Sequence, residues 1–163
     1  MSSPIKQWLG RDIPQSLSVR LGNYIEDFFV ELTSTNGLLS SLDRVSGKYG
    51  VSYNNQFHQI DLLVDGESVV YHREIKCNLD LDRGKKRDTL QRELDICEGL
   101  HQMFEVPIDS AIFCPFLDTS QEISGLGTVE GLTEFIDTFG VNLTVEEFKE
   151  LGRDEQIHRA LFE

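Results

Sequence analysis

The stretch Phe57–Cys77, "FHQIDLLVDGESVVYHREIKC", holds two strand-like runs, "FHQIDLLV" and "SVVYHREIKC", on either side of "DGE". Asp-Gly between two runs rich in β-branched and aromatic residues predicts an antiparallel hairpin. Alternation along the second run puts Val70, His72, Glu74 and Lys76 on one face and Tyr71, Arg73, Ile75 and Cys77 on the other. A carboxylate and an ammonium therefore share a face, and the register decides what joins them. A tight turn at Asp65-Gly66 would pair Val64 with Glu67 and leave Glu74 roughly 13 Å beyond the level of Asp61. A four-residue loop, Asp65 to Ser68, pairs Val64 with Val69 and Asp61 with His72. Glu74 then lies diagonal to Asp61 on the same face, roughly 7 Å away at the backbone, and the carboxylates converge. The longer loop is the expected register.

Outward from the hairpin, "SLSVRLGNYIEDFFVEL" repeats apolar residues at Leu17, Leu21, Tyr24/Ile25, Phe28 and Leu32, which predicts a helix over 16–32 with Glu26 beside its apolar stripe. "TSTNGLLSSLDRVSGKYG" reads as loop, with Asn-Gly and Ser-Gly turn signals. After the hairpin comes a basic loop, then "DTLQRELDICEGLHQMF" at helical spacing with Asp88 or Thr89 as the cap. "DSAIFCPF" reads as a buried strand ended by Pro115. The remainder reads as helical: "TVEGLTEFIDTFG" runs to Gly140, and Thr144 with Glu147 fits a capping box. This order predicts a mixed sheet flanked by helices, an α/β or α+β fold, and 163 residues suit one domain.

Net charge is −13, and residues 101–163 hold three basic against thirteen acidic side chains. Such a balance disfavours a polyanionic partner over most of the surface, because phosphate binding depends on Lys and Arg. The exception is Arg83 to Arg92, where five of ten residues are basic and only Asp88 is acidic. The N-terminus lacks the apolar run of a signal peptide and no stretch is apolar enough to span a membrane, so the expectation is a cytoplasmic protein without membrane contact. Cys77, Cys97 and Cys114 are too far apart in sequence to suggest a zinc site or redox couple, and read as reduced thiols.

Asp61 and Glu74 are suited to a hard divalent cation held through oxygen, with the Ile75 carbonyl as a further ligand and water completing the shell. Lys76 on the same face would orient a nucleophile or stabilise charge developing on phosphorus. These are the parts that phosphodiester hydrolysis needs. Asp61, twelve intervening residues and "EIK" at Glu74–Lys76, after a helix carrying Glu26, resemble the PD-(D/E)XK nuclease superfamily, to which most type II restriction endonucleases belong. The resemblance covers roughly Leu21 to Glu98; Ile60 stands where the superfamily's name has Pro, and "NLDLD" with a following Lys is similar to what trails the motif in several restriction enzymes. It implies a restriction-endonuclease-like core over about 17–117, with a helical, acidic C-terminal part over about 118–163. It further implies cleavage of double-stranded DNA with Mg²⁺, or Mn²⁺ in its place, by a homodimer. Asp61 and Glu74 match the metal-binding acids, Lys76 the catalytic lysine and Glu26 the acid of the first helix. A homing, repair or junction-resolving nuclease, or an inactive binding or assembly module of the same fold, are the alternatives.

Lys85, Lys86 and Arg87 read as phosphate contacts, and Gln91 and Arg92 as groups reaching bases or backbone. His58 and His72 read as partly exposed strand histidines, His72 being next to Asp61 in the expected register and so placed to assist. His101 and His158 fall in helices and are assigned no role. Gly125 and Gly127 lack the preceding strand and the spacing of a phosphate cradle.

Overall fold

The computed structural model describes residues 4–33 and 42–163. The described residues form six helices and two β-sheets, a mixed α+β architecture. Helix α1 (Pro4–Leu9) precedes α2 (Gln15–Thr33), whose buried Leu21, Ile25 and Phe29 recur every four residues, as the apolar stripe predicts. Phe29 lies edge-on to Phe113 at 5.2 Å and to Phe135 at 5.5 Å, and these two rings stack on each other at 4.1 Å. The main core grows from this aromatic contact, with Trp8, Leu62, Ile75 and Phe148.

Three short strands follow, β1 (Asp43–Val45), β2 (Lys48–Tyr53) and β3 (Gln56–Gln59), an antiparallel sheet in that order; β1 and the start of β2 stand where loop was expected. Its turns place Ser46 and Gly47, then Asn54 and Asn55, at positive φ, the paired left-handed residues of tight hairpins. The Ser-Gly signal is thus a hairpin turn; the Asn36-Gly37 signal lies outside the described residues. The run "FHQIDLLV" is two strands rather than one. Ile60 donates its N–H to the Tyr49 carbonyl at 2.9 Å, and the chain then leaves this sheet for the second.

The second sheet has the order β4-β5-β6-β8-β7. Strands β4 (Leu62–Asp65) and β5 (Val70–Ile75) are antiparallel, β5 is parallel to β6 (Ile108–Phe113), and β6 is parallel to β8 (Gly127–Glu130), which pairs antiparallel with β7 (Gln121–Ile123). The mixed sheet flanked by helices is therefore present. Leu63 and Val70 pack against Ile96 and Leu100 of α3 (Arg83–Met103), while Leu62 and Ile75 pack with α2 and with α4 (Leu132–Phe139) and α5 (Val145–Leu151). Cover on both faces explains why "LLV" is a continuous apolar run rather than an alternating one.

Three expectations need correction. The hairpin loop has four residues as expected, but it is Gly66–Val69, one position later: Asp65 pairs with Val70, and Leu63 with His72. The Asp65 carboxylate accepts the Glu67 N–H at 2.8 Å, a local turn that keeps Asp65 as the last strand residue. Second, α3 starts at Arg83, not after Asp88, because Asp82 is the N-cap and accepts the Lys85 N–H at 2.9 Å. The basic run is the first turn of a helix, not a loop. Third, Thr128–Glu130 is strand rather than helix; Val129 is buried opposite Ile112, and Gly131 separates it from α4. A Cβ on Gly131 would come within 2.2 Å of the Thr119 backbone, so only glycine fits. The part after residue 117 thus contributes two strands to the sheet before its helices α4, α5 and α6 (Glu155–Phe162). The Thr144–Glu147 capping box is present, and Gly140 ends α4 in the left-handed region.

Arg73 is the largest fully buried side chain, at 2% exposure. Its guanidinium meets both Glu130 carboxylate oxygens at 2.9 and 3.1 Å, the Asp109 carboxylate at 3.1 Å, and the His72 and Asp109 carbonyls at 2.9 Å each. It ties β5 to its parallel neighbour β6 and, across β6, to β8. Among the described residues no helix is long and apolar enough to cross a membrane.

Candidate active site and groove

The observed register, extended one residue beyond Leu62–Arg73, sets Asp61 opposite Glu74 instead of diagonal to it. Asp61 Oδ2 accepts the Ile75 N–H at 2.9 Å. Helix α2 brings Glu26 to the same point, where its side chain hydrogen-bonds Asp61. Burial first, then the Asp61 charge and that hydrogen bond, push the Glu26 carboxyl up to about 8, against the pull of nearby Lys76. Glu26 is therefore largely protonated at neutral pH.

Glu74 is the buried member, with its side chain only 4% exposed. Arg92 of α3 pairs with its Oε1, and Lys76 Nζ stands 4.0 Å from the same atom. Its other oxygen, Oε2, is buried with no hydrogen-bond partner. A buried, unpaired carboxylate oxygen costs free energy until something positive or protic meets it. Among the described residues no group of three or more His, Cys, Asp and Glu side chains is arranged to hold a metal ion. A cation here would rest on Asp61 and Glu74 with backbone oxygen and water, which suits an ion such as Mg²⁺ that keeps much of its water. The orphaned Glu74 oxygen fits that requirement.

The site opens on a groove of about 580 Å³ lined by Lys76, Lys85, Gln91 and Arg92 together with Gln56, His58, Leu81, Asp88, Thr89 and Asp95. The five side chains expected to meet DNA are divided by helical periodicity. Lys85, Gln91 and Arg92 face this groove, and Arg92 is engaged with Glu74. Lys86 and Arg87 turn to a second groove, of about 490 Å³, with Arg83 and the Ser124-Gly125 turn, and Lys86 Nζ donates to the Ser124 carbonyl at 2.7 Å. Gly125 and Gly127, both at positive φ, shape that turn and its return to β8.

His72 is buried, not partly exposed; its Nδ1 is 2.7 Å from Ser110 Oγ, and its pKa is pushed down to about 3 by burial and by the charges of Arg73 and Arg92. It stays neutral at physiological pH and faces the sheet interior. His58 is buried too, and it lines the groove beside Asp95, a residue that sequence reading left without a role. The signal for Asp95 was Asp82: a helix beginning there sets Lys85, Asp88, Arg92 and Asp95 on one face. The three cysteines are unpaired, and burial raises the Cys77 thiol to about 12 and that of Cys114 to about 11, so neither is a thiolate nucleophile.

No protein-family model, no curated protein and no solved structure matches the chain.

Proposed function

We propose that the chain is a metal-dependent phosphodiesterase built on a PD-(D/E)XK core. More particularly, we read it as a small type II restriction endonuclease acting on double-stranded DNA. The observation that carries this reading is the convergence of Glu26, Asp61, Glu74 and Lys76 at the open end of β4 and β5, with a buried Glu74 oxygen left unpaired. Four residues from one helix and two strand ends reach one point. An unpaired buried carboxylate oxygen is uncommon in a cluster that serves structure alone.

Asp61 and Glu74 would hold the cation. When bound, Mg²⁺ or Mn²⁺ neutralises phosphate charge and makes a water in the site more acidic. The chain's own groups do the rest. Lys76, with its side chain 28% exposed, is within reach of both the buried acid and the groove, where its ammonium orients an attacking water and offsets charge on the phosphorus oxygens. Glu26, protonated at neutral pH, hydrogen-bonds Asp61 and holds its carboxylate in place. Lys85 and Gln91 contact the backbone or base edges of a duplex laid along the groove.

The charge pattern of α3 supports an anionic partner. Its first turn carries no acid but has Arg83 and Lys85, cations at the positive end of the helix dipole, where each is unfavourable by about 0.3–1 kcal/mol. Phosphates would offset that cost. Cutting both strands takes two such sites, which a homodimer supplies.

The test is incubation of plasmid and phage DNA with the protein and Mg²⁺, followed by sequencing of the product ends. Discrete fragments sharing one end sequence are the expected result. Unchanged DNA over a range of sequences and salt concentrations would overturn the reading.

A further inference from the structure

We propose that Arg92 is a latch that couples metal and DNA binding: it neutralises Glu74 in the absence of metal and passes to a DNA phosphate when a divalent cation takes that carboxylate. The proposal rests on the nuclease reading and concerns the regulation of that same site. The Glu74 side chain is 4% exposed, and a carboxylate so buried needs a positive partner. Arg92 of α3 supplies one, its Nη2 lying on Glu74 Oε1, the oxygen from which Lys76 Nζ stands 4.0 Å. That pairing leaves one group unmet on each side. Glu74 Oε2 and Arg92 Nε are both buried without a hydrogen bond. A fully formed arginine–carboxylate pair joins two N–H donors to both oxygens, and this one does not. Each unmet atom suits a ligand of the proposed reaction. Oε2 suits a cation held through oxygen, and an Nε–H beside an Nη–H is the fork that takes two phosphate oxygens at once.

Arg92 is also placed to change partners. Its side chain is 39% exposed and lines the groove with Lys85 and Gln91, so the charge on Glu74 sits at the edge of the surface expected to carry DNA. A divalent cation on Glu74 would stand beside two positive side chains, Arg92 and Lys76, and repel both. Release of Arg92 relieves that repulsion and gives the groove a further cation for phosphate. Parting Arg92 from Glu74 is unfavourable, and it is required only once, whether cation or phosphate arrives first. Each ligand therefore strengthens the binding of the other, by the same factor.

The experiment measures Mn²⁺ and Ca²⁺ affinity by calorimetry without DNA, and retention of mixed-sequence duplex DNA with and without Ca²⁺, for wild type, Arg92→Gln and Arg92→Lys. Arg92→Gln is expected to bind either ion about tenfold more tightly than wild type. Its DNA retention is expected to stay within about twofold of wild type without metal and to fall about tenfold below it in Ca²⁺, because Arg92 meets phosphate only after leaving Glu74. Arg92→Lys, which keeps the charge but not the fork, is expected between the two and carries the test if Arg92→Gln does not fold. Ion affinity unchanged or weakened in the variants, or DNA retention lost equally with and without Ca²⁺, overturns the latch alone. Failure of both variants to fold does the same, since Arg92 would then be a fixed structural tie. A wild type and variants that all bind neither ion overturn the metal-dependent reading with it.

Discussion

His72 makes stability depend on acid in a way that can be worked out. The ring is fully buried, its Nε2 has no partner, and Arg73 and Arg92 stand close enough to oppose a further positive charge. Together these lower its pKa from 6.5 to about 3, so the native protein keeps it neutral while the unfolded chain protonates it below about 6.5. A group depressed in the fold contributes stability that is fully present above 6.5 and is lost as pH falls toward 3. At pH 5 the unfolded ring lies about 1.5 units below its midpoint, which costs the folded state about 2 kcal/mol relative to pH 8. His72→Gln removes the titration and leaves an amide that still reaches Ser110. Urea unfolding of both proteins at pH 8 and pH 5 should show wild type losing about 2 kcal/mol more than the variant. If the two lose the same amount within about 0.5 kcal/mol, the imidazole is not held neutral and the reasoning fails.

Arg73→Met strands the half-enclosed Glu130 carboxylate and should cost about 3–5 kcal/mol by urea unfolding, while Arg73→Met with Glu130→Met should recover most of it; equal losses would show that packing, not charge, dominates. Glu26 is raised to about 8, so the fold binds a proton that the unfolded chain releases above about 4.5, and stability falls as pH rises from there to about 8. Glu26→Gln should flatten that fall in unfolding curves taken between pH 6 and pH 9. Lys85→Ala should weaken DNA retention and lower the salt slope by about one unit, whereas Lys86→Ala, whose ammonium is already on the Ser124 carbonyl and in the other groove, should leave the slope unchanged.

Local periodicity carried much of the fold. The stripe Leu21, Ile25, Phe29 marks α2, and Thr144 with Glu147 marks the start of α5, because each rests on contacts within one turn. What escaped depends on partners distant in sequence. Three-residue strands such as β1 and β7 show no period of their own and exist through pairing with β2 and β8. The hairpin register slid by one because Asp65 makes a hydrogen bond within its own turn.

The site was legible as residue types and less so as geometry. Asp61, Glu74, Lys76 and Glu26 meet, yet Arg92 lies on Glu74, and Lys86 and Arg87 turn away from it. That division follows from one capping residue, Asp82, which converts a basic loop into a helix with two distinct faces. The burial of His58 escaped because it is set by how α3 packs over β2 and β3.

The most direct measurement compares wild type with Lys76→Ala on DNA in Ca²⁺ and then in Mg²⁺. The account predicts that both retain DNA in Ca²⁺ and that only wild type cleaves in Mg²⁺. Cleavage by Lys76→Ala at the wild-type rate would contradict it, as would a wild type that neither retains nor cuts DNA.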